Sequence, residues 1–135
     1  MSTSIEAIEG IGPAYGKKLR AAGCASPARL LKDGGTKKGR NKIAKETGIS
    51  SSIILRCVNM ADLFRIKGVA SQYAELLEAS GVDTVKELKN RNAANLAAKM
   101  QEVNKAKKLT RTVPSEKMLA DWIKQAGKLP PMVSH

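Results

Sequence analysis

The sequence predicts an all-α protein made of two similar halves, on three observations. Aromatic residues are 3% of the chain, and the 42% hydrophobic content is aliphatic and alanine-rich, which favours helix packing over sheets. Apolar residues recur at helical spacing while no segment alternates convincingly at period two, so essentially no strand is expected. The third observation is a repeat at an offset of 58 residues: Gly10 with Gly68, Tyr15 with Tyr73, Leu19 with Leu77, Gly23 with Gly81, Ser26 with Thr84 and Leu30 with Leu88. This register reads as an internal duplication. The organisation it predicts is a first repeat over 1–62, a second over 63–127 and a flexible tail over 128–135, both repeats packed into one compact domain.

The elements follow in order. A short turn over 4–8 leads into the string Ile8-Glu9-Gly10-Ile11-Gly12-Pro13, a tight glycine turn feeding a helix. Pro13 suits the first helical position, where its missing N–H is not needed, and that helix runs to about 22 and ends at Gly23. Ser26 caps a short helix with Pro27 at its first position, and Gly34-Gly35 stops it. The counterpart in the second half is Thr84-Val85-Lys86-Glu87, with capping-box spacing. Further helices are predicted near 38–47 and 93–103, and longer ones near 51–64 and 114–126. The long helices carry core stripes, Ile54, Cys57, Val58 and Ala61 in one, Met118, Leu119, Trp122, Ile123 and Ala126 in the other. The end from Lys128, with Pro130-Pro131, reads as a loose tail.

Charge points to a polyanionic partner. Lysine and arginine number 24 against 12 acidic residues, a net charge of +12. The field alone does not separate DNA from RNA or from an anionic surface. No apolar run approaches the ~20 residues that span a bilayer, so no membrane partner is expected. Met1-Ser2-Thr3-Ser4 lacks the charged and apolar regions of a secretory signal, and the expected location is the cytoplasm, at the nucleoid if the partner is DNA. Cys24 and Cys57 read as buried thiols in a reducing compartment. The one histidine is His135, and Asp33, Asp62, Asp83 and Asp121 lie far apart in the chain. No metal, cofactor or catalytic group is expected, and the chain reads as a non-enzyme.

The string at Ile8, Gly10, Ile11 and Gly12, with Leu19 and Gly23 after it, resembles the helix-hairpin-helix motif of DNA ligases, repair glycosylases and ribosome-associated proteins. The chain as a whole, up to about Gly127, is similar to an uncharacterised, mainly bacterial family of two such units in tandem. The resemblance implies that backbone amides at and just after the second glycine hold a nucleic-acid phosphate. In this sequence the donors must come from Gly12, Ala14 or Tyr15, since Pro13 has no N–H, and the expected binding residues of this turn are Gly10, Ile11, Gly12 and Ala14, with Ile11 anchoring it in the core. Lys17 and Lys18, with Arg20, add charge on the helix that follows.

The second turn, Ile66-Lys67-Gly68-Val69-Ala70, departs from the motif at Ala70, which strains the backbone if that position needs φ > 0. Glu75, Leu76 and Glu78 stand where the first half has Lys17, Lys18 and Arg20, so this turn is expected to be the weaker site, contributing Lys67 and Gly68. A basic insertion before the last helix carries Lys105, Lys107, Lys108 and Arg111; it reads either as a solvated run or as a flexible phosphate-gripping loop. The expected partner is nucleic acid, duplex DNA favoured, with RNA or ribosome association equally served by the charge. The alternative is a protein-interaction module, a homodimer included.

Overall fold

The computed structural model of the protein describes residues 4–8 and 10–134, and among these it contains one 3-10 turn, eight α-helices and no strand. Glu9 of the turn motif and His135 lie outside the described residues. The helices are α1 (Pro13–Ala21), α2 (Pro27–Gly34), α3 (Lys37–Thr47), α4 (Ser51–Leu63), α5 (Ser71–Ala79), α6 (Val85–Lys89), α7 (Ala93–Lys107) and α8 (Glu116–Lys128). Two compact units form, one from the described residues up to Asp62 together with Met132–Ser134, the other from Leu63–Pro131.

The first unit begins with a 3-10 turn over Ile5–Ala7 that buries Ile5 and Ile8. Gly10 then takes φ +93, and Ile11 is buried behind it with its N–H on the Ile8 carbonyl. Gly12 is extended, and Pro13 opens α1 at the position where a proline costs no hydrogen bond. The helix ends nine residues later: Ala22 N–H bonds back to Lys18 and Leu19, Gly23 takes φ +90, and Cys24 N–H returns to Leu19 O at 2.8 Å. Such an end satisfies the last carbonyls and drops the next apolar residue, here the fully buried Cys24, onto the core. α1 packs on the 3-10 turn and on α3, and α2 packs on α3. Leu19, Leu30, Ile43, Ile54 and Val58 are buried.

The same bonds recur 58 residues on in the second unit. Ile66 N–H reaches Leu63 O, Val69 reaches Ile66, Gly81 reaches Glu78 and Val82 reaches Leu77 at 2.8 Å. Gly68 and Gly81 take φ +101 and +94. Ala70 has φ −101 and ψ −179 against −85 and −178 at Gly12. The position is extended in both halves, so alanine there meets no strain and the second turn is as well formed as the first. Thr84 caps α6 through the Glu87 N–H as Ser26 caps α2 through that of Arg29.

The later helices diverge. α7 runs to Lys107, four residues beyond its expected end, because Asn104-Lys105-Ala106-Lys107 tolerates helix and the helix C-terminus favours cations. In α8, Leu119, Trp122 and Ala126 are buried, whereas Met118 is 39% exposed. One residue of helix turns a side chain about 100°, which carries position 118 off the face that packs on α6 and α7.

In the first unit, residues of the segment expected to be a loose tail are hydrogen-bonded. Arg40 is 4% exposed, and its guanidinium donates to the carbonyls of Gly34 and Gly35 at 3.0 Å each and to that of Ser134 at 2.6 Å. Ser134 N–H returns to Gly35 O at 2.8 Å. Within the second unit, Arg65 donates to Pro130 O at 2.6 Å. Backbone carbonyls are the anchors, and they leave no mark in a side-chain pattern. Burial lowers the Arg40 pKa from the usual arginine range, and the three carbonyls serve in place of a counter-ion.

Three outcomes are expected. Gly23→Ala imposes a left-handed backbone on a residue with a Cβ and should lower stability by about 1–2 kcal/mol. Gly12→Ala, extended and with open space at the Cβ position, should change it by less than ~0.5 kcal/mol. Arg40→Met strips the donor from three carbonyls and should cost about 2–4 kcal/mol. Urea denaturation of the folded variants measures all three.

Candidate functional site

Six of the eight helices are closed at their N-termini by a side chain: Ser26, Thr36, Ser50, Thr84, Asn92 and Ser115. α1 and α5, the helices entered from the glycine turns, have no side-chain cap. The first-turn amides of a helix have no partner within it, and they sit at the positive end of its dipole.

At the first turn Gly10, Gly12, Pro13 and Ala14 are exposed, and so are Lys17 and Lys18 on α1. Ile11 is 5% exposed, so its side chain holds the turn in the core. Arg20, the third cation of α1, is ion-paired with Glu6. Arg56, which has an interaction partner of its own, also lies near the turn: a Cβ on Gly10 would lie 2.9 Å from its Nη1. Arg56 belongs to α4, beside the buried Cys57 in its core stripe, and only the packing of α4 brings it to the turn.

The second turn has the same backbone and different neighbours. Lys67 and Gly68 are exposed, but the Lys67 N–H donates to Oε1 of Gln125 at 2.8 Å, and Gln125 Nε2 donates back to the Lys67 carbonyl at 3.1 Å. Lys67 therefore offers a side chain and no amide. A Cβ on Gly68 would lie 3.1 Å from Nε1 of Trp122, whose ring meets that of Tyr73 at 5.5 Å between centroids and a 55° tilt. Glu75 and Glu78 on α5 are half-buried and each has an interaction partner.

The basic insertion divides between helix and loop. Lys105 and Lys107 lie in the last turn of α7, about 200° apart around its axis, so they serve opposite faces. Lys108 is the C-cap and takes φ 52, the position filled by Gly48 at the end of α3. A lysine in that conformation carries about 1–2 kcal/mol of strain that glycine would not. The loop after it is held, since Asn104 donates to Thr110 O at 3.0 Å and accepts the Thr110 N–H at 2.9 Å. This ordered loop faces the start of α5 across an open cleft of about 780 Å³, lined among others by Tyr73, Lys108 and Arg111. Lys108 and Arg111 are thus brought to the second turn, while Lys105 and Lys107 are not among the lining residues.

The thiols are poor nucleophiles. Cys24 and Cys57 are buried, and burial, reinforced by the nearby Asp33 carboxylate, pushes the Cys24 pKa up from 9.0 to about 11. Among the described residues no three His, Cys, Asp or Glu side chains gather where a metal could be held, and no helix is long and apolar enough to cross a membrane.

The family model described as Domain of unknown function (DUF4332) matches residues 9–129. The chain belongs to that family. The match spans both glycine turns and all eight helices among the described residues. No curated protein and no solved structure matches the chain.

At pH 8 the native protein should leave both thiols unmodified by an aromatic disulfide reagent for as long as it stays folded, because both are buried and the Cys24 thiol is also held protonated while the thiolate is the reacting species. Denaturant should release both. Rapid native labelling of Cys24 would contradict the buried, protonated assignment.

Proposed function

We propose that this chain is a non-catalytic nucleic-acid-binding protein that grips duplex DNA without regard to base sequence. In this reading the two glycine turns are helix-hairpin-helix elements repeated in tandem within one helical domain, and the protein works in the cytoplasm at the nucleoid. The observation that carries it is the first turn. An exposed, tightly turned backbone opens onto a helix with no side-chain cap, flanked by Lys17, Lys18 and Arg56. Backbone amides at the positive end of a helix, ringed by cations, match a phosphate in both charge and hydrogen-bonding capacity. The net charge of +12 supports the same partner at longer range. The resources of the site are backbone and charge, which contact phosphate and leave base edges unread.

The two turns are unequal partners. The first has the uncapped start of α1 with Lys17, Lys18 and Arg56 near it, although its Ile11 N–H is taken by the Ile8 carbonyl. The second has one amide taken by Gln125 and two carboxylates on its helix, with Lys108 and Arg111 brought in from the α7–α8 loop.

Salt-titrated binding to duplex DNA, single strands and structured RNA, side by side, tests the reading. With about four to six phosphates contacted, log K for duplex should fall against log[salt] with a slope of roughly −4 to −5. Lys17→Ala with Lys18→Ala should weaken binding alike on all duplex sequences and flatten the slope by about 1 to 2. A slope near zero, or no duplex binding at low salt, overturns the reading in favour of a protein partner. Preference for structured RNA over duplex DNA moves it to RNA.

A further inference from the structure

The cleft between the start of α5 and the loop after α7 has a composition that phosphate binding alone does not use. Lys108 and Arg111 supply positive charge from the loop side, and Tyr73 and Leu109 are among the other residues that line it. Ser71 and Gln72 add hydrogen-bonding groups along the α5 side. Its volume of about 780 Å³ exceeds what a bare phosphate would fill. The loop is ordered by the Asn104–Thr110 pair of bonds, so the cleft is formed before any ligand arrives. A ligand complementary to it has a flat apolar part and an anionic part a few ångströms away.

We propose that this cleft takes an unpaired nucleotide of a single-stranded segment or strand end, its base against Tyr73 and Leu109 and its phosphate at Lys108 and Arg111. Aromatic side chains accept any base through its π-face, and the cations fix the backbone beside it, the combination by which single strands are held without sequence preference. A base inside a duplex is stacked and paired and cannot enter. The first turn then grips duplex phosphates, and the second unit recognises where the duplex ends or opens. This rests on the nucleic-acid reading and adds to it a distinction between duplex and unpaired strand.

The reporter is already in place. Trp122 is the only tryptophan of the chain and its ring contacts that of Tyr73. Titration of the full chain with an eight-residue oligothymidylate should change Trp122 emission, whereas a blunt duplex and inorganic phosphate should leave it nearly unchanged. Tyr73→Leu should weaken oligothymidylate binding at least tenfold, Tyr73→Phe should keep it within about twofold, and both should keep duplex affinity. Lys108→Asn, which tolerates the left-handed backbone, combined with Arg111→Gln should weaken the single strand and flatten its salt slope by about 1 to 2. Helical circular dichroism and the Tyr73→Phe protein guard against unfolding.

If duplex binds with its expected slope while folded Tyr73→Leu holds oligothymidylate as tightly as the parent, the cleft assignment is wrong and the duplex reading stands. Displacement of oligothymidylate by equimolar inorganic phosphate would also overturn it, reducing the cleft to an anion site. Absence of binding to every nucleic acid at low salt overturns both.

Discussion

The left-handed glycine is the constraint on which the rest of this structure depends. The helices run from 5 to 15 residues, too short to hold their shape in water without packing. Each must therefore stop and turn back within two or three residues. Gly23 and Gly81 do this at φ +90 and +94 and let Cys24 and Val82 drop into the core. Gly10 and Gly68, at φ +93 and +101, do the same ahead of Ile11 and Val69. The turn that buries an apolar residue on one side necessarily exposes backbone on the other. Folding and the candidate site are consequences of one backbone geometry.

On that backbone the equivalent helices α1 and α5 carry opposite charge. α1 shows Lys17 and Lys18, with Arg20 bound to Glu6, while α5 carries Glu75 and Glu78. The i,i+4 ion pairs invert in the same sense: Arg29 with Asp33 in the first unit becomes Glu87 with Arg91 in the second, at the same register and with the polarity reversed. Exposed pairs of this kind contribute a few tenths of a kcal/mol at most, so either order serves the fold. Because the fold is indifferent to the sign, surface charge is free to differ between the units while the buried positions stay alike. The neighbour behind each turn differs too, Arg56 behind Gly10 and Trp122 behind Gly68. A cation and an aromatic ring in equivalent places suit different ligand chemistry.

Much of the helical architecture was legible in the chain because its signals are local. Pro13, Pro27, Ser26 and Thr84 mark helix starts by chemistry that acts within four residues, and the glycines mark ends the same way. The site was legible in part. The exposed glycines and Lys17 and Lys18 stand in one short stretch, so the sequence finds them together. Arg56 escaped because it lies beside the core stripe of α4, and nothing in that stripe indicates that the guanidinium arrives at Gly10. The strain assigned to Ala70 rested on a conformation that the position does not adopt.

What the sequence by itself determined was helix, its punctuation and the net charge, since propensity, capping and charge belong to residues and their near neighbours. Tertiary structure decided which long-range partners complete each turn. Gln125 closes the Lys67 amide from 58 residues away, Arg40 holds Ser134 from 94, and Lys108 and Arg111 meet Tyr73 across a cleft. Those pairings depend on where helix axes come to rest, set by the fit of buried side chains such as Leu96, Met100 and Leu119. That fit is a property of the folded interior, and it has no period for a linear reading to find.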